Sequence, residues 1–185
     1  MWRTALALFL FGAIVGNGYN SLHAFMGAIP ITDVHSNPLM DWSSYLLFGF
    51  AGVSIGMLTI FFDKNLRKES LVANWKNAIA SMLLLGVFYF LSACMFISNS
   101  VILMILIGGF ILSSLLFDRH GYAILAAVLV AIFGTAAEVL QVHYHSYYYA
   151  RPEIFGVTYW LPFLYGISSI TTGQLARALT SRWPK

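Results

Sequence analysis

Residues 134–162, GTAAEVLQVHYHSYYYARPEIFGVTYWLP, carry an apolar helical pattern into a polar and aromatic stretch that breaks at Arg151-Pro152 and restarts at Trp160. Glu138 lies inside the helical part, and it is the one Asp or Glu that no reasonable choice of membrane spans places at a water-facing end. Carboxylates inside membrane helices are rare and usually functional. The stretch therefore predicts a polar site within a membrane-embedded helical protein.

The whole chain has the composition of a membrane protein. Of its 185 residues, 59% are apolar and 9% are charged, whereas soluble domains carry about a quarter charged residues. The chain has a single cysteine, Cys94, which lies in an apolar run. One cysteine cannot form an intrachain disulfide or a cysteine metal cluster. We predict one all-α domain over residues 1–185, because the connections are too short to hold a second domain. We expect no cofactor and no nucleic-acid partner.

Six apolar runs are long enough, or nearly so, to cross the roughly 30 Å hydrocarbon core as helices of about 20 residues. Their approximate centres are Ile14, Gly52, Leu85, Gly108, Ala131 and Gly166. A proline-containing loop over residues 29–41 separates the first two runs. We predict six transmembrane helices, with the second over about Trp42–Phe62 and the last over about Trp160–Ala176.

Lysine and arginine are distributed unevenly over this six-helix map. With the N-terminus inside, nine basic residues are cytoplasmic and only Arg151 is outside, which satisfies the positive-inside rule. The nine are Arg3, Lys64, Arg67, Lys68, Lys76, Arg119, Arg177, Arg182 and Lys185. We therefore predict that both termini are cytoplasmic.

Glu138 has three interpretations. With Gln141 and His145 it occupies positions i, i+3 and i+7, so the three side chains form one polar stripe on a helix. It is a protonated structural carboxyl hydrogen-bonded to Asn17 or Asn20, or it holds a ligand's polar head, or it relays protons. It lies about 24 Å along the fifth span, near the outer boundary of the membrane and away from the midplane typical of transport sites. A structural or head-group role is therefore favoured.

The outer end also collects histidines and tyrosines. Four of the five histidines are predicted there, among them His23 and His35. A metal site is disfavoured because His143 and His145 are two residues apart, about 200° around a helix, and no His-Glu-x-x-His pattern occurs. We predict no metal and no catalytic residue. The run over residues 147–149 fits an interfacial tyrosine belt.

Asp118 and Arg119 form a tight connection between the fourth and fifth spans on the predicted cytoplasmic side. The connection is a hydrated turn whose arginine meets lipid phosphate, or a docking point for another membrane protein. As a hydrated turn residue, Asp118 is expected to contribute little to stability.

These residues also carry a resemblance to the Insig (insulin-induced gene) family, the six-span membrane proteins of sterol regulation. The matching pattern is Phe117-Asp118-Arg119, Tyr147-x-Tyr149-x-x-Pro152 and Trp160-Leu161-Pro162, followed at the family's intervals by Gly173 and Arg177. The resemblance is specific from about residue 115 onward, while the layout agrees over nearly the whole chain. It implies a six-helix bundle with cytoplasmic termini and a partner-binding role for Asp118.

The resemblance also implies a non-enzymatic protein that binds an amphipathic lipid, sterol or isoprenoid inside the membrane. The glutamine associated with oxysterol binding in animal members falls on Val101, and Glu138 stands where their pattern has threonine. We expect the ligand at Glu138, Gln141, His145, Asn17, Asn20 and Trp160, and a membrane partner at Asp118 and Arg119. Homo-oligomerisation is an alternative form of partnership.

Two other functions remain open. The first is a small membrane enzyme that acts on an isoprenoid or lipid with Glu138 as acid or base, and the second is a transporter subunit. The host membrane would be the cytoplasmic membrane of a prokaryote or the endoplasmic reticulum of a eukaryote.

Overall fold

The computed structural model describes residues 1–30, 39, 41–67 and 74–182. Asp33, His35, Lys68, Lys185 and most of the loop over residues 29–41 lie outside the described residues. Within them, six long helices follow one another along the chain. They are α1 (Trp2–Phe25), α2 (Trp42–Leu66), α3 (Trp75–Ala93), α4 (Asn99–Phe117), α5 (Gly121–His143) and α6 (Leu161–Arg182).

Five of these helices, α1 to α5, are long and apolar enough to cross a membrane. The all-α architecture with six helices is confirmed, and the chain is an integral membrane protein. The predicted helix positions agree closely with the structure, although α6 continues past the expected Ala176 to Arg182. That extension brings Arg177 into the bundle.

Helix α6 is the central helix of the bundle, since it contacts each of the other five. Fifteen of its 22 residues are buried, including several small polar ones, so its surface faces protein instead of lipid. Two of the buried polar side chains are paired with carbonyl groups of other helices: Thr171 Oγ1 donates to the Ser81 carbonyl at 3.2 Å, and Gln174 Nε2 donates to the Phe117 carbonyl at 2.8 Å. A helix surrounded by protein tolerates such residues, which explains why α6 is the least apolar of the six.

Helices α1 and α2 approach each other at glycines. A Cβ atom on Gly12 would overlap the Phe48 carbonyl oxygen, and one on Gly52 would lie 2.6 Å from the Leu8 carbonyl oxygen. Both obstacles are backbone atoms, which cannot turn aside as a side chain can. The close crossing therefore requires glycine at both positions.

A π-helical turn interrupts α1 at Gly12–Gly16. Buried residues of α1 are four apart at Thr4, Leu8 and Gly12, and again four apart at Ala13, Asn17 and Ser21, so the buried register moves by one residue within this turn. The wider turn thus resets the helix so that the second half keeps Asn17 and Ser21 turned toward protein.

Candidate functional site

Glu138 joins three parts of the chain at one end of the bundle. Its side chain projects from α5 and is 6% exposed. The Tyr149 hydroxyl, from the segment between α5 and α6, donates to Glu138 Oε2 at 3.1 Å. The Tyr165 hydroxyl, from α6, donates to Oε1. Each carboxyl oxygen therefore has a tyrosine donor.

Tyr149 lies outside the helices, yet its side chain is 3% exposed. Burial raises the pKa of Tyr149 well above its ordinary value, and the nearby charge of Glu138 raises it further. The hydroxyl thus keeps its proton through the physiological pH range and remains a hydrogen-bond donor to Glu138.

A polar cavity of about 420 Å³ opens beside the carboxyl. Asn20 of α1, Ser43 and Ser44 of α2, and Gln141 of α5 line it together with Glu138. Its lining among the described residues also includes Asp41, Ser146 and Tyr147, and contains neither lysine nor arginine. The cavity can accept and donate hydrogen bonds, but these linings offer no cation to an anionic group.

A second cavity, of about 120 Å³, is mainly apolar and lies between α1, α2, α3, α5 and α6. Gly12 and Gly16 line it on α1, and Leu47, Phe48, Glu138 and Gln141 are shared with the polar cavity. A shallow groove between α2 and α5 continues past exposed Leu47 and Leu140. Glu138 and Gln141 therefore stand where polar and apolar spaces meet.

Behind the carboxyl is a small pocket of about 10 Å³, close to the smallest space that holds one water molecule. Its polar lining comprises Asn20, His23, Tyr89, Glu138, Tyr149 and Tyr165. His23 Nε2 lies 2.9 Å from Ser92 Oγ, and its ring lies 5.4 Å from that of Tyr89. A buried polar cluster thus extends from Glu138 toward α3.

The structure brings some of the predicted ligand residues to Glu138. Gln141 and Asn20 share its cavities. Asn17 is fully buried one turn earlier on α1, where its carbonyl accepts from Ser21 Oγ at 2.8 Å.

Two predicted ligand residues lie elsewhere. The polar stripe is wrong at His145, because α5 ends at His143 and His145 is exposed in a left-handed conformation with φ 57°. Trp160 is buried against His23, with ring centroids 5.7 Å apart, and Nε1 donates to Asn99 Oδ1 at 3.4 Å. It is not among the lining residues of the cavities that Glu138 lines.

Sequence reasoning missed the tyrosines that hold Glu138. The interfacial-belt interpretation is wrong for Tyr149, which is buried, although its neighbour Tyr148 is 49% exposed. A buried carboxylate requires hydrogen-bond donors, and the available signal was the group of four tyrosines within residues 144–149, shortly after Glu138. Nothing in the local sequence singled out Tyr165, which reaches Glu138 from a different helix.

The opposite end of the bundle carries a buried ion cluster that corrects the expectation for Asp118. The Asp118 carboxylate is paired with the Arg177 guanidinium, and Asp118 is only 5% exposed. Arg177 also binds Asp63 at the end of α2, with Nε–Oδ2 at 2.6 Å and Nη2–Oδ1 at 3.1 Å. Asp118 is therefore not a hydrated turn residue, because the C-terminal part of α6 carries an arginine to it.

Arg119, in contrast, is exposed, and its Nε donates to the Leu115 carbonyl at 2.6 Å. Of the two residues predicted to dock a partner, only Arg119 presents its side chain at the surface. Asp118 can affect a partner only indirectly, because it holds together the elements that form the surface.

The structure also bears on two other kinds of site, a serine nucleophile and a metal site. The pattern Gly-x-Ser-x-Gly occurs at residues 52–56, but it lies inside α2 with Ser54 exposed, and not at the strand-to-helix turn of a nucleophile elbow. Among the described residues, no three His, Cys, Asp or Glu side chains group together as metal ligands.

Comparison with protein families finds no match. Comparison with curated protein sequences finds no match either. Two solved structures are nevertheless similar over the full length. One is described as the crystal structure of a mycobacterial Insig homolog, MvINS from Mycobacterium vanbaalenii, with 18% identity, a TM-score of 0.86, and coverage of 100% of this chain and 98% of that chain.

The other structure is described as a cross-linked trimer of an MvINS variant in which a cysteine replaces an arginine, with 19% identity, a TM-score of 0.86 and the same coverage. This chain therefore has the fold of a mycobacterial Insig homolog. The resemblance to Insig proteins, first indicated by the spacing of residues after 115, is confirmed at the level of the fold.

Proposed function

We propose that this Insig-like membrane protein is not an enzyme and binds an amphipathic lipid whose polar head lies at Glu138. The observation that carries the proposal is the position of Glu138 and Gln141, which line both a polar cavity and an apolar one. A molecule with a small polar head and an apolar body matches that junction.

The chemistry of the polar cavity selects the head group. Serine hydroxyls, the amides of Asn20 and Gln141, and the carboxylates of Asp41 and Glu138 line it. The described part of the lining contains no lysine or arginine, which disfavours a phosphate or carboxylate head. An uncharged hydroxyl head is favoured, as in a sterol, a diacylglycerol or an isoprenoid alcohol.

The apolar part of such a ligand needs a path to the bilayer. The groove between α2 and α5, with exposed Leu47 and Leu140, leads from the polar cavity along the lipid-facing surface. A hydrocarbon chain in this groove would exchange lipid contacts for protein contacts at little cost. The ligand would therefore enter sideways from the membrane.

The remaining parts of the proposal concern the surroundings of the protein. We propose cytoplasmic termini, a single domain over residues 1–185, and the cytoplasmic membrane of a prokaryote as location. A membrane partner would meet the surface near Arg119, with Asp118 supporting that surface through Arg177. A second copy of the chain is one such partner, in line with the cross-linked trimer described for the MvINS variant.

Native mass spectrometry of gently extracted protein tests the proposal. We expect an uncharged lipid to accompany the wild-type chain, and the mass of that lipid to stay constant during prolonged incubation. Protein that carries no lipid, and that is not stabilised by added cholesterol, 1,2-dioleoylglycerol or farnesol, would contradict lipid binding. A lipid whose mass changes on incubation would replace the proposal with an enzyme that uses Glu138 as acid or base.

A further inference from the structure

We propose that Tyr149 is a positioning residue, which ties the segment over residues 144–151, here called the strap, to Glu138 and thereby keeps the lipid in its site. The inference rests on the proposed function, because it concerns control of the same site. It also gives a role to the Tyr147-x-Tyr149-x-x-Pro152 pattern, which an aromatic belt does not explain.

The strap is fixed to the bundle at both ends. At its start, the Ser146 backbone N–H donates to the Gln141 carbonyl at 3.0 Å. At its end, the Ala150 N–H donates to the Ala28 carbonyl at 2.9 Å, and Asn99 Nδ2 donates to the Arg151 carbonyl at 3.2 Å. The intervening residues are too few to move far while these bonds hold.

Between the two ends, Tyr149 is the side chain that reaches into the bundle. Its hydroxyl donates to Glu138 Oε2 at 3.1 Å, and its side chain is 3% exposed. The Tyr147 ring packs on it with centroids 5.9 Å apart and planes at 67°. Tyr148, between them in sequence, points to the surface.

The same strap forms a wall of the polar cavity, since Ser146 and Tyr147 line it together with Glu138. A displacement of Tyr149 would therefore shift Tyr147 and open this wall. It would also free Glu138 Oε2 to turn away, leaving Tyr165 as the remaining tyrosine donor. The tie thus controls both the orientation of the carboxyl and the enclosure of the head group.

The hydrogen bond from Tyr149 also limits which lone pairs of Glu138 can accept a hydrogen bond from a ligand. A carboxylate has about four lone-pair positions, and the two tyrosines use one on each oxygen. The remaining positions are held in fixed directions as long as both tyrosines are bound. A ligand hydroxyl would therefore find a preoriented acceptor, which favours binding because little ordering remains to be done.

The test compares Tyr149→Phe with Tyr148→Phe, a change of the same chemistry at an exposed neighbour. Hydrogen exchange of backbone amides over residues 144–151 reports the strap, and native mass spectrometry with added 1,2-dioleoylglycerol reports the site. We expect Tyr149→Phe to speed exchange and to weaken retention of this lipid by up to about 10-fold, because binding must then order the strap and the Glu138 side chain. Tyr148→Phe should change neither.

A double-variant cycle separates positioning from general destabilisation. With Glu138→Gln already present, Tyr149→Phe should weaken lipid retention by clearly less than it does alone, because the partner of the hydroxyl has changed. An equal loss in both backgrounds would overturn the proposal. So would faster strap exchange with unchanged lipid retention, or no effect of Tyr149→Phe on either readout.

Two further controls keep the outcomes distinct. If Tyr149→Phe does not fold, the wild-type strap is compared with and without 1,2-dioleoylglycerol, and equal exchange in the two states would overturn the tie. If the wild-type chain retains none of the hydroxyl lipids, the proposed function itself fails. That failure is recognised independently of Tyr149, because it needs no variant.

Discussion

Glu138 and Asp118 are both buried carboxylates, but different partners surround them. Tyrosine hydroxyls hold Glu138, whereas the Arg177 guanidinium holds Asp118 together with Asp63. One tyrosine donor on each oxygen leaves lone pairs of the Glu138 carboxyl available to a ligand. An ion cluster that spans three parts of the chain fixes them instead, because separating its members exposes buried charge.

At Glu138, substitution should separate shape from hydrogen bonding. Glu138→Gln keeps the volume and one acceptor oxygen, so we expect most of the bound lipid to remain. Glu138→Leu removes both acceptors and leaves the Tyr149 and Tyr165 hydroxyls without this partner, which should abolish lipid retention and cost about 1–3 kcal/mol of stability. Native mass spectrometry and thermal unfolding measure the two effects. Equal lipid content in wild type and Glu138→Leu would remove Glu138 from the site.

At Asp118, the burial of the side chain reverses the expectation drawn from sequence. Asp118→Ala removes one of the two carboxylates that bind Arg177, so we expect the free energy of unfolding to fall by about 1–3 kcal/mol. Arg119→Ala, a change at the exposed neighbour, should have a free energy of unfolding within about 0.5 kcal/mol of the wild-type value. Thermal unfolding in detergent compares the two variants. Identical melting temperatures would mean that the ion cluster contributes nothing to the fold.

At the scale of elements, the crossing of α1 and α2 depends on the absence of side chains. Gly12→Ala would place a methyl group against the Phe48 carbonyl oxygen, so the helices must separate. We expect this overpacking to cost about 1–3 kcal/mol. Gly18→Ala, in the same helix, meets no atom within 4 Å and should be neutral or stabilising by up to about 1 kcal/mol. If both variants melt alike, the helices are not in contact at Gly12.

The sequence predicted the helices well because their signals are local. Length and apolar composition suffice for α1 to α5, and the proline and polar breaks mark their ends. For α6 the boundary was less accurate, since the predicted span ended at Ala176, just before Arg177. The helix continues to Arg182, because Arg177 is paired with Asp63 and Asp118 inside the protein. The strap was misjudged for a related reason: a tyrosine near a helix end is usually interfacial, and only tertiary structure turns Tyr149 inward.

The site was predictable in part. Glu138 stood out because its cost in a membrane is large, and Gln141 followed from helical spacing. His145 did not, because the register of a helix holds only to its last residue. The partners of Asp118 and Glu138 come from α6, at separations along the chain that no local pattern encodes.

At the scale of the whole molecule, the distribution of basic residues predicts the orientation. The Arg177 end carries most of the lysine and arginine and should face the cytoplasm, while the Glu138 end faces outward. We expect reporter domains fused to the two termini to report a cytoplasmic location for both ends. An active reporter on the outer side at either terminus would contradict the predicted orientation.

The central claim is that a lipid lies at the junction of the polar and apolar cavities with its head at Glu138. An experimental structure of the protein, extracted gently and never delipidated, tests it most directly. We predict elongated density in the groove between α2 and α5 that ends in a polar group within hydrogen-bonding distance of Glu138 or Gln141. Cavities that contain only water or detergent, or a lipid whose polar head lies away from both side chains, would contradict it.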